Sequence, residues 1–247
     1  MQPRGPTVTM RCMSATPDSG DRRLVRLLVI ILLGSWLAGT ALVLQANAIA
    51  PTAPPATVDL ARLPGAWGWY AAGYALFFIA DGCIALLGAV LLVWLRLQGS
   101  FRGLAILVLF TLSGVLGVLA DLQMLGAAQV FRLGSPALNV AWLDNLNTSG
   151  NWLSGASFLP CGVAAWLACG AARDAGVGRG WIAFTEFGAV YQIATGLISA
   201  AAFLTGQALL TDIALLAAII GSPVFVTVWL TWMMREMSTF PNRRQPS

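Results

Sequence analysis

Trp67–Arg96 reads WGWYAAGYALFFIADGCIALLGAVLLVWLR. Aromatic residues open it, Trp94 and Arg96 close it, and one acid, Asp81, stands at its midpoint. A run this long and this apolar cannot face water, and its ends carry the residues that anchor a helix at a membrane interface. It therefore predicts a membrane-spanning helix over 67–95. Five more runs of the same kind surround it, so the fold class is all-α: a bundle of six transmembrane helices.

The rest of the composition agrees. The chain is 58% hydrophobic and 10% charged, where a soluble domain of its length is about a quarter charged. All 14 basic residues are Arg. With so much Ala and Gly, that bias points to a GC-rich, bacterial source and to the inner membrane. The arginines cluster at span ends rather than in one patch, which argues against nucleic acid as a partner. There is no His, which removes the commonest general base, the usual haem ligand and most zinc sites. Cys12, Cys83, Cys161 and Cys169 form no C-x-x-C pair, so they read as small packing residues. No metal or cofactor is expected.

The spans are expected over 24–46, 67–95, 103–125, 151–170, 181–204 and 209–234, forming one domain over 24–236. Residues 1–23 and 237–247 read as polar cytoplasmic tails, the first of them disordered. In the first span Gly34, Ala38, Ala41 and Gln45 recur at helical spacing as a small-residue seam. Its apolar core exceeds the usual signal-peptide length, so retention is expected despite the Ala46-Asn47-Ala48 cleavage pattern. Pro51, Pro54, Pro55 and Pro64 mark an extended outer loop. Gly126–Gly150 reads as the longest loop, carrying a short interfacial segment over Ala137–Leu146.

The fourth span carries Ser154, Ser157, Cys161, Ala164 and Ala168 on one stripe, and the fifth carries Thr185, Gly188, Gln192, Thr195 and Ser199. The two helices are expected to pack through these stripes. Pro160 and Gly221-Ser222-Pro223 predict kinks in the fourth and sixth spans. Threading six spans leaves only Arg62 and Arg132 on the side opposite the other arginines. By the positive-inside rule, both termini are then cytoplasmic.

The intramembrane acids are the residues that invite a function. A charged Asp at a helix centre costs roughly 2.5–3.5 kcal/mol, so Asp81 must face the bundle interior or a wet cavity. Tyr74 lies two turns from it, and Asp121 shares the Gly114–Gly117 face of the third span. Asp212 and Gln45 sit near the same outer surface. Asp81, Tyr74, Asp121, Asp212 and Gln45 together make a candidate polar cavity for a proton or ion. Glu186, near the inner end of the fifth span, is expected to pair with Arg179 or an arginine of the neighbouring loop.

Three functions fit these residues. The leading one is an integral membrane protein acting through helix contacts, a membrane partner or a second copy of itself. The next is a small secondary transporter or proton-coupled permease using the buried acid. The third is an intramembrane enzyme, for which no catalytic motif is visible: without His there is no His-activated nucleophile, and the phosphate-binding Gly-rich loops are absent.

Overall fold

In a computed structural model the described residues are 19–50, 63–133 and 136–239. They form helices throughout, with no strand among the described residues. The elements are α1 (Ser19–Ile49), α2 (Leu63–Trp94), α3 (Phe101–Leu133), α4 (Pro136–Asp174) and α5 (Arg179–Thr205), followed by α6 (Ala208–Leu216), a π-helical turn (Ala217–Gly221) and α7 (Ser222–Thr239). The first five are long and apolar enough to cross a membrane. Each also turns bulky apolar side chains outward, among them Ile30, Leu86, Leu104, Trp166 and Phe187. Apolar exposure on every side of a bundle is what a lipid-facing surface requires. The chain is thus built as a multi-pass membrane protein.

Several boundaries differ from the sequence expectation. The Gly126–Gly150 loop does not exist as such: α3 runs on to Leu133 and α4 already begins at Pro136, so Ala137–Leu146 is its first part. Proline at the first helical position loses only an N–H that has no helical partner anyway. Gly150 does not end a helix but lets α4 approach α3, since a Cβ there would lie 3.1 Å from Met124 Sδ. Of the tail expected over 1–23, Ser19–Arg23 are helical and 1–18 lie outside the described residues. The outer loop over 51–62 and the tail from 240 also lie outside them, and α7 continues to Thr239. Helix α4 passes through Pro160 without interruption.

Consecutive helices are neighbours from α1 to α5, α5 packs on α6 and α7, and α7 returns to α1. The bundle is therefore a closed circuit. At the end marked by Arg96, Arg102, Arg173 and Arg235 it is filled by a core to which every long helix contributes, including Leu32, Leu91, Ile106, Ala168, Trp181 and Leu230. Three indoles lock this end. Trp94 meets Trp181 edge-on at 5.3 Å, Trp181 stacks on Trp229 at 5.9 Å, and Trp229 Nε1 donates to Thr185 Oγ1 at 2.8 Å. At the opposite end a smaller cluster joins α1, α2 and α3, with Leu146 of α4 against it and the Tyr70 hydroxyl 2.7 Å from Asn47 Oδ1 and 2.9 Å from the Ala50 carbonyl.

Glycines set how closely the helices approach. In a bilayer, burying apolar side chains gives little drive between helices, so backbone proximity and packing carry the association. A Cβ at Gly88 would fall 2.8 Å from Leu107 Cα, and one at Gly114 would fall 2.5 Å from Ala85 N. Between α1 and α2, Gly39 meets Gly73, with a built Cβ 3.0 Å from the Gly73 carbonyl oxygen. The seam expected along Gly34, Ala38 and Ala41 is displaced, for Gly34 has open space around it and the buried face of α1 runs through Val29, Leu32, Gly39, Val43 and Ala46. Helices α4 and α5 meet through Gly155, Gly162 and Gly196, which face Ser199, Ala189 and Leu159. Gly188 instead faces Phe225 of α7.

The sixth hydrophobic run is broken where Gly221-Ser222-Pro223 predicts it, by the π turn. The Ala217 carbonyl accepts both the Ser222 N–H and, at 2.6 Å, the Tyr191 hydroxyl. A side chain at Gly221 would overlap that tyrosine. The extra residue of a π turn is thus held open from α5.

Gly114→Ala should lower stability in detergent by about 1–3 kcal/mol, because the new methyl meets backbone rather than a movable side chain. Gly82→Ala, with nothing near its built Cβ, should be neutral or stabilising by up to about 1 kcal/mol. Thermal melts of the two variants check this; equal melting of Gly114→Ala and the unsubstituted protein would contradict the close packing.

Candidate functional site

Helix α3 presents Ser113, Gly117 and Asp121 at four-residue spacing, hence on one face. Gly117 forms a notch in that face, and the Asp81 side chain of α2 fills it so closely that a Cβ at 117 would overlap the carboxylate. This seating brings Asp81 close to Asp121, one turn further along α3, so that the two carboxyl groups interact directly. Two carboxylates this close in a low-dielectric interior repel each other, so the arrangement suits a pair in which one carboxyl carries a proton.

Polar groups continue from the pair across the bundle. On α4, Cys161 lies within electrostatic range of Asp81, and its sulfur faces the Ser113 hydroxyl and the Gln192 side-chain amide of α5. On the other side, Tyr74 lies within electrostatic range of Asp121. Tyr74 also stacks on Tyr70 at 6.4 Å and meets Phe77 edge-on at 5.9 Å, giving α2 an aromatic ladder beside the acids. Asp121 and Gln192 are each 6% exposed. Asp121 Oδ2 and Gln192 Oε1 are buried without a hydrogen-bond partner among the described residues.

Of the residues singled out from the sequence, Asp81, Asp121 and Tyr74 come together. Asp212 and Gln45 do not join them. Asp212 is exposed on α6, two residues before the buried Ala214 and so about 200° around the helix from it. Gln45 is exposed on α1, beside Ala46, which takes the inward position. Glu186 is ion-paired with Arg173 of α4 rather than Arg179. Arg179 lies two turns back on the same helix, about 10 Å away along the axis, whereas Arg173 faces Glu186 across the α4–α5 contact. A second pair, Arg102–Asp174 at 2.8 Å, ties α3 to α4 at the same end. Both pairs are largely exposed, and such bridges contribute less than about 1 kcal/mol.

Ser113, Cys161 and Gln192 were not legible as site residues. Ser113 had a usable signal, its four-residue register with Gly117 and Asp121. Cys161 and Gln192 belong to the stripes of α4 and α5, which say only that those faces are close. Among the described residues no group of three or more His, Cys, Asp and Glu is arranged to hold a metal ion. A scan of protein-family models and searches of curated proteins and solved structures found no match to this chain.

If Asp81 and Asp121 act as one hydrogen-bonded unit, their truncations should not add. Asp81→Ala and Asp121→Ala should each destabilise, because each strands a buried carboxyl, and the double variant should be more stable than the summed effects imply by about 0.5–3 kcal/mol. Additive melting shifts would mean that the two acids do not interact.

Proposed function

We propose that this chain is a secondary transporter of six spans, in a bacterial inner membrane, whose Asp81–Asp121 pair takes up and releases a proton during the transport cycle. One observation carries the reading: two carboxyl groups from neighbouring helices meet inside the membrane-crossing segments, with Asp81 seated in the Gly117 notch. Acids there are costly and are functional-site candidates by default. The reading is favoured over action through partner contacts because the polar groups point inward, into the junction of α2, α3, α4 and α5. The interrupted helix 208–239 is in keeping with it, since discontinuous helices recur in transporters. In this reading α6, the π turn and α7 form the sixth span.

The same pair supports a second reading, an intramembrane acid hydrolase, because two carboxyls sharing a proton can activate water. In that case Asp81→Asn should abolish cleavage of a membrane-embedded peptide and have no effect on solute flux.

Infrared spectra of the purified protein near neutral pH should contain a protonated-carboxyl band that both Asp81→Asn and Asp121→Asn remove or shift. In proteoliposomes, Asp81→Asn should abolish proton-coupled solute movement while thermal melting changes little, since Asn keeps the size and a hydrogen-bonding oxygen. A band unaffected by both substitutions, or unchanged coupled flux in Asp81→Asn, would reject the reading.

The orientation is a separate expectation, with both termini cytoplasmic because the α2–α3 and α4–α5 turns and the C-terminal segment carry the arginines. Reporter fusions at each end should read cytoplasm. A periplasmic C-terminus would leave five or seven spans instead of six.

A further inference from the structure

Two inner turns of the bundle share one backbone motif and differ at its key residue. At the end of α2 the Arg96 N–H bonds the Val93 carbonyl at 3.2 Å, and the Leu97 N–H reaches back to Leu92 at 2.9 Å. At the end of α4, Gly176 bonds Arg173 at 3.0 Å and Val177 bonds Ala172 at 2.9 Å. Both are Schellman ends, in which the residue after the helix is left-handed and favours glycine. Gly99, Gly176 and Gly206 fill such left-handed positions, whereas Arg96 adopts φ 56° with a full side chain. A side chain kept where glycine fits without strain points to a use for that side chain. The Arg96 side chain is exposed and has no acidic partner among the described residues, while Arg102 across the turn is held by Asp174.

The same turn carries a groove of about 300 Å³ lined by Leu92, Gly99, Ser100, Phe101 and Leu104. Leu92 belongs to the last turn of α2 and Leu104 to the first turn of α3, so the groove runs from the turn onto the apolar flanks of both helices. Phe101 is 87% exposed. The Ser100 hydroxyl is already used, donating to the Leu97 carbonyl at 2.8 Å and accepting the Gly103 N–H at 3.0 Å. Gly103 leaves no room for a Cβ against that carbonyl, so the turn is fixed and the groove is formed in advance.

We infer that this groove seats one phospholipid with an anionic headgroup, its phosphate held by the Arg96 guanidinium and an acyl chain laid against Leu92, Phe101 and Leu104. Charge complementarity selects the occupant. The groove has apolar walls and, in the same turn, an exposed cation without an acidic partner among the described residues. A guanidinium presents a planar fork of donors that matches phosphate oxygens. The turn joins two helices that can cross a membrane, so it lies where bilayer headgroups lie. Anionic headgroups are drawn to basic side chains at that depth. A soluble anion would use the arginine and leave the apolar walls bare. A zwitterionic lipid would bring its own cation beside the guanidinium. The site is independent of the Asp81–Asp121 pair.

The test titrates the full chain, delipidated in detergent, with phosphatidylglycerol or with phosphatidylcholine of the same acyl chains. Native mass spectrometry counts the bound lipid, and thermal melting reads its effect. One phosphatidylglycerol should bind about tenfold tighter than phosphatidylcholine and raise the melting temperature. Arg96→Gly should melt at or above the unsubstituted protein without lipid, because glycine relieves the left-handed residue. The same variant should bind phosphatidylglycerol about tenfold more weakly and lose most of the melting shift. Leu104→Trp, which fills the groove and keeps the arginine, should also weaken binding, with Leu104→Phe replacing it if the tryptophan variant does not fold. Arg179→Gln, at an exposed arginine that starts α5, should bind as the unsubstituted protein does. Glycerol phosphate at millimolar concentration should not displace the lipid. Equal affinity for phosphatidylcholine, or undiminished binding in Arg96→Gly or in a folded Leu104 variant, would overturn the inference. So would an equal loss in Arg179→Gln, which would mean a diffuse basic surface, or displacement by glycerol phosphate, which would mean a site for soluble anions. A lower melting temperature of lipid-free Arg96→Gly would make the arginine structural and would also overturn it.

Discussion

The approach of α3 to α2 at Gly114 and Gly117 is the contact on which the rest depends. Only a backbone without side chains on that face allows the Asp81 carboxyl to sit in the notch and reach Asp121. Without the notch, either acid would face lipid or a packed apolar neighbour alone, at a cost of several kcal/mol. The glycines thus do two things at once. They provide the van der Waals contact that associates helices in a bilayer, and they turn two expensive acids into partners.

The bundle treats its two ends differently. The arginine end is closed by stacked indoles, buried aliphatic side chains and the Trp229–Thr185 hydrogen bond, with two exposed ion pairs fastening α3, α4 and α5. The opposite end has a smaller core among α1, α2 and α3, with one side chain of α4 against it. Helix α6 packs chiefly on α5, and the π turn that joins it to α7 is held by Tyr191. A unit with one main neighbour and an irregular junction is the part of a bundle least restrained by packing. In a transport cycle of the proposed kind, this would place the moving element at the end opposite the indole cluster and on the same side of that cluster as the acids.

The polar centre is unusual in what it omits. Among the described residues no Arg accompanies the acids and the chain has no His, so in the proposed reading charge balance falls to a shared proton rather than an ion pair. A salt bridge would have held one charge state permanently. A carboxyl pair with one proton can exchange it, and neighbouring thiol, amide and hydroxyl groups are neutral in every state that matters at ordinary pH. The arrangement therefore suits a site that changes occupancy more than one that only holds helices together.

The sequence by itself determined the helical class, the membrane-crossing runs and the turns between most of them, because hydropathy over twenty residues is a local property that no tertiary contact reverses. It also determined that Asp81 needs an interior partner and that Asp121 shares a face with glycines, since helical spacing decides both. It misjudged Gly126–Gly150, where polar residues and a glycine read as loop although nothing in them forbids a helix. Which face of each helix turns inward was decided only in the tertiary structure. A 3.6-residue repeat marks small residues at several angular positions, and close packing against a particular neighbour selects one of them. That is why Gly39 is in contact while Gly34 is not, why Gln45 and Asp212 stand outside the site, and why Ser113, Cys161 and Gln192, from three different helices, end beside one another. Their convergence is a property of how four helices pack, and no single segment of sequence contains it.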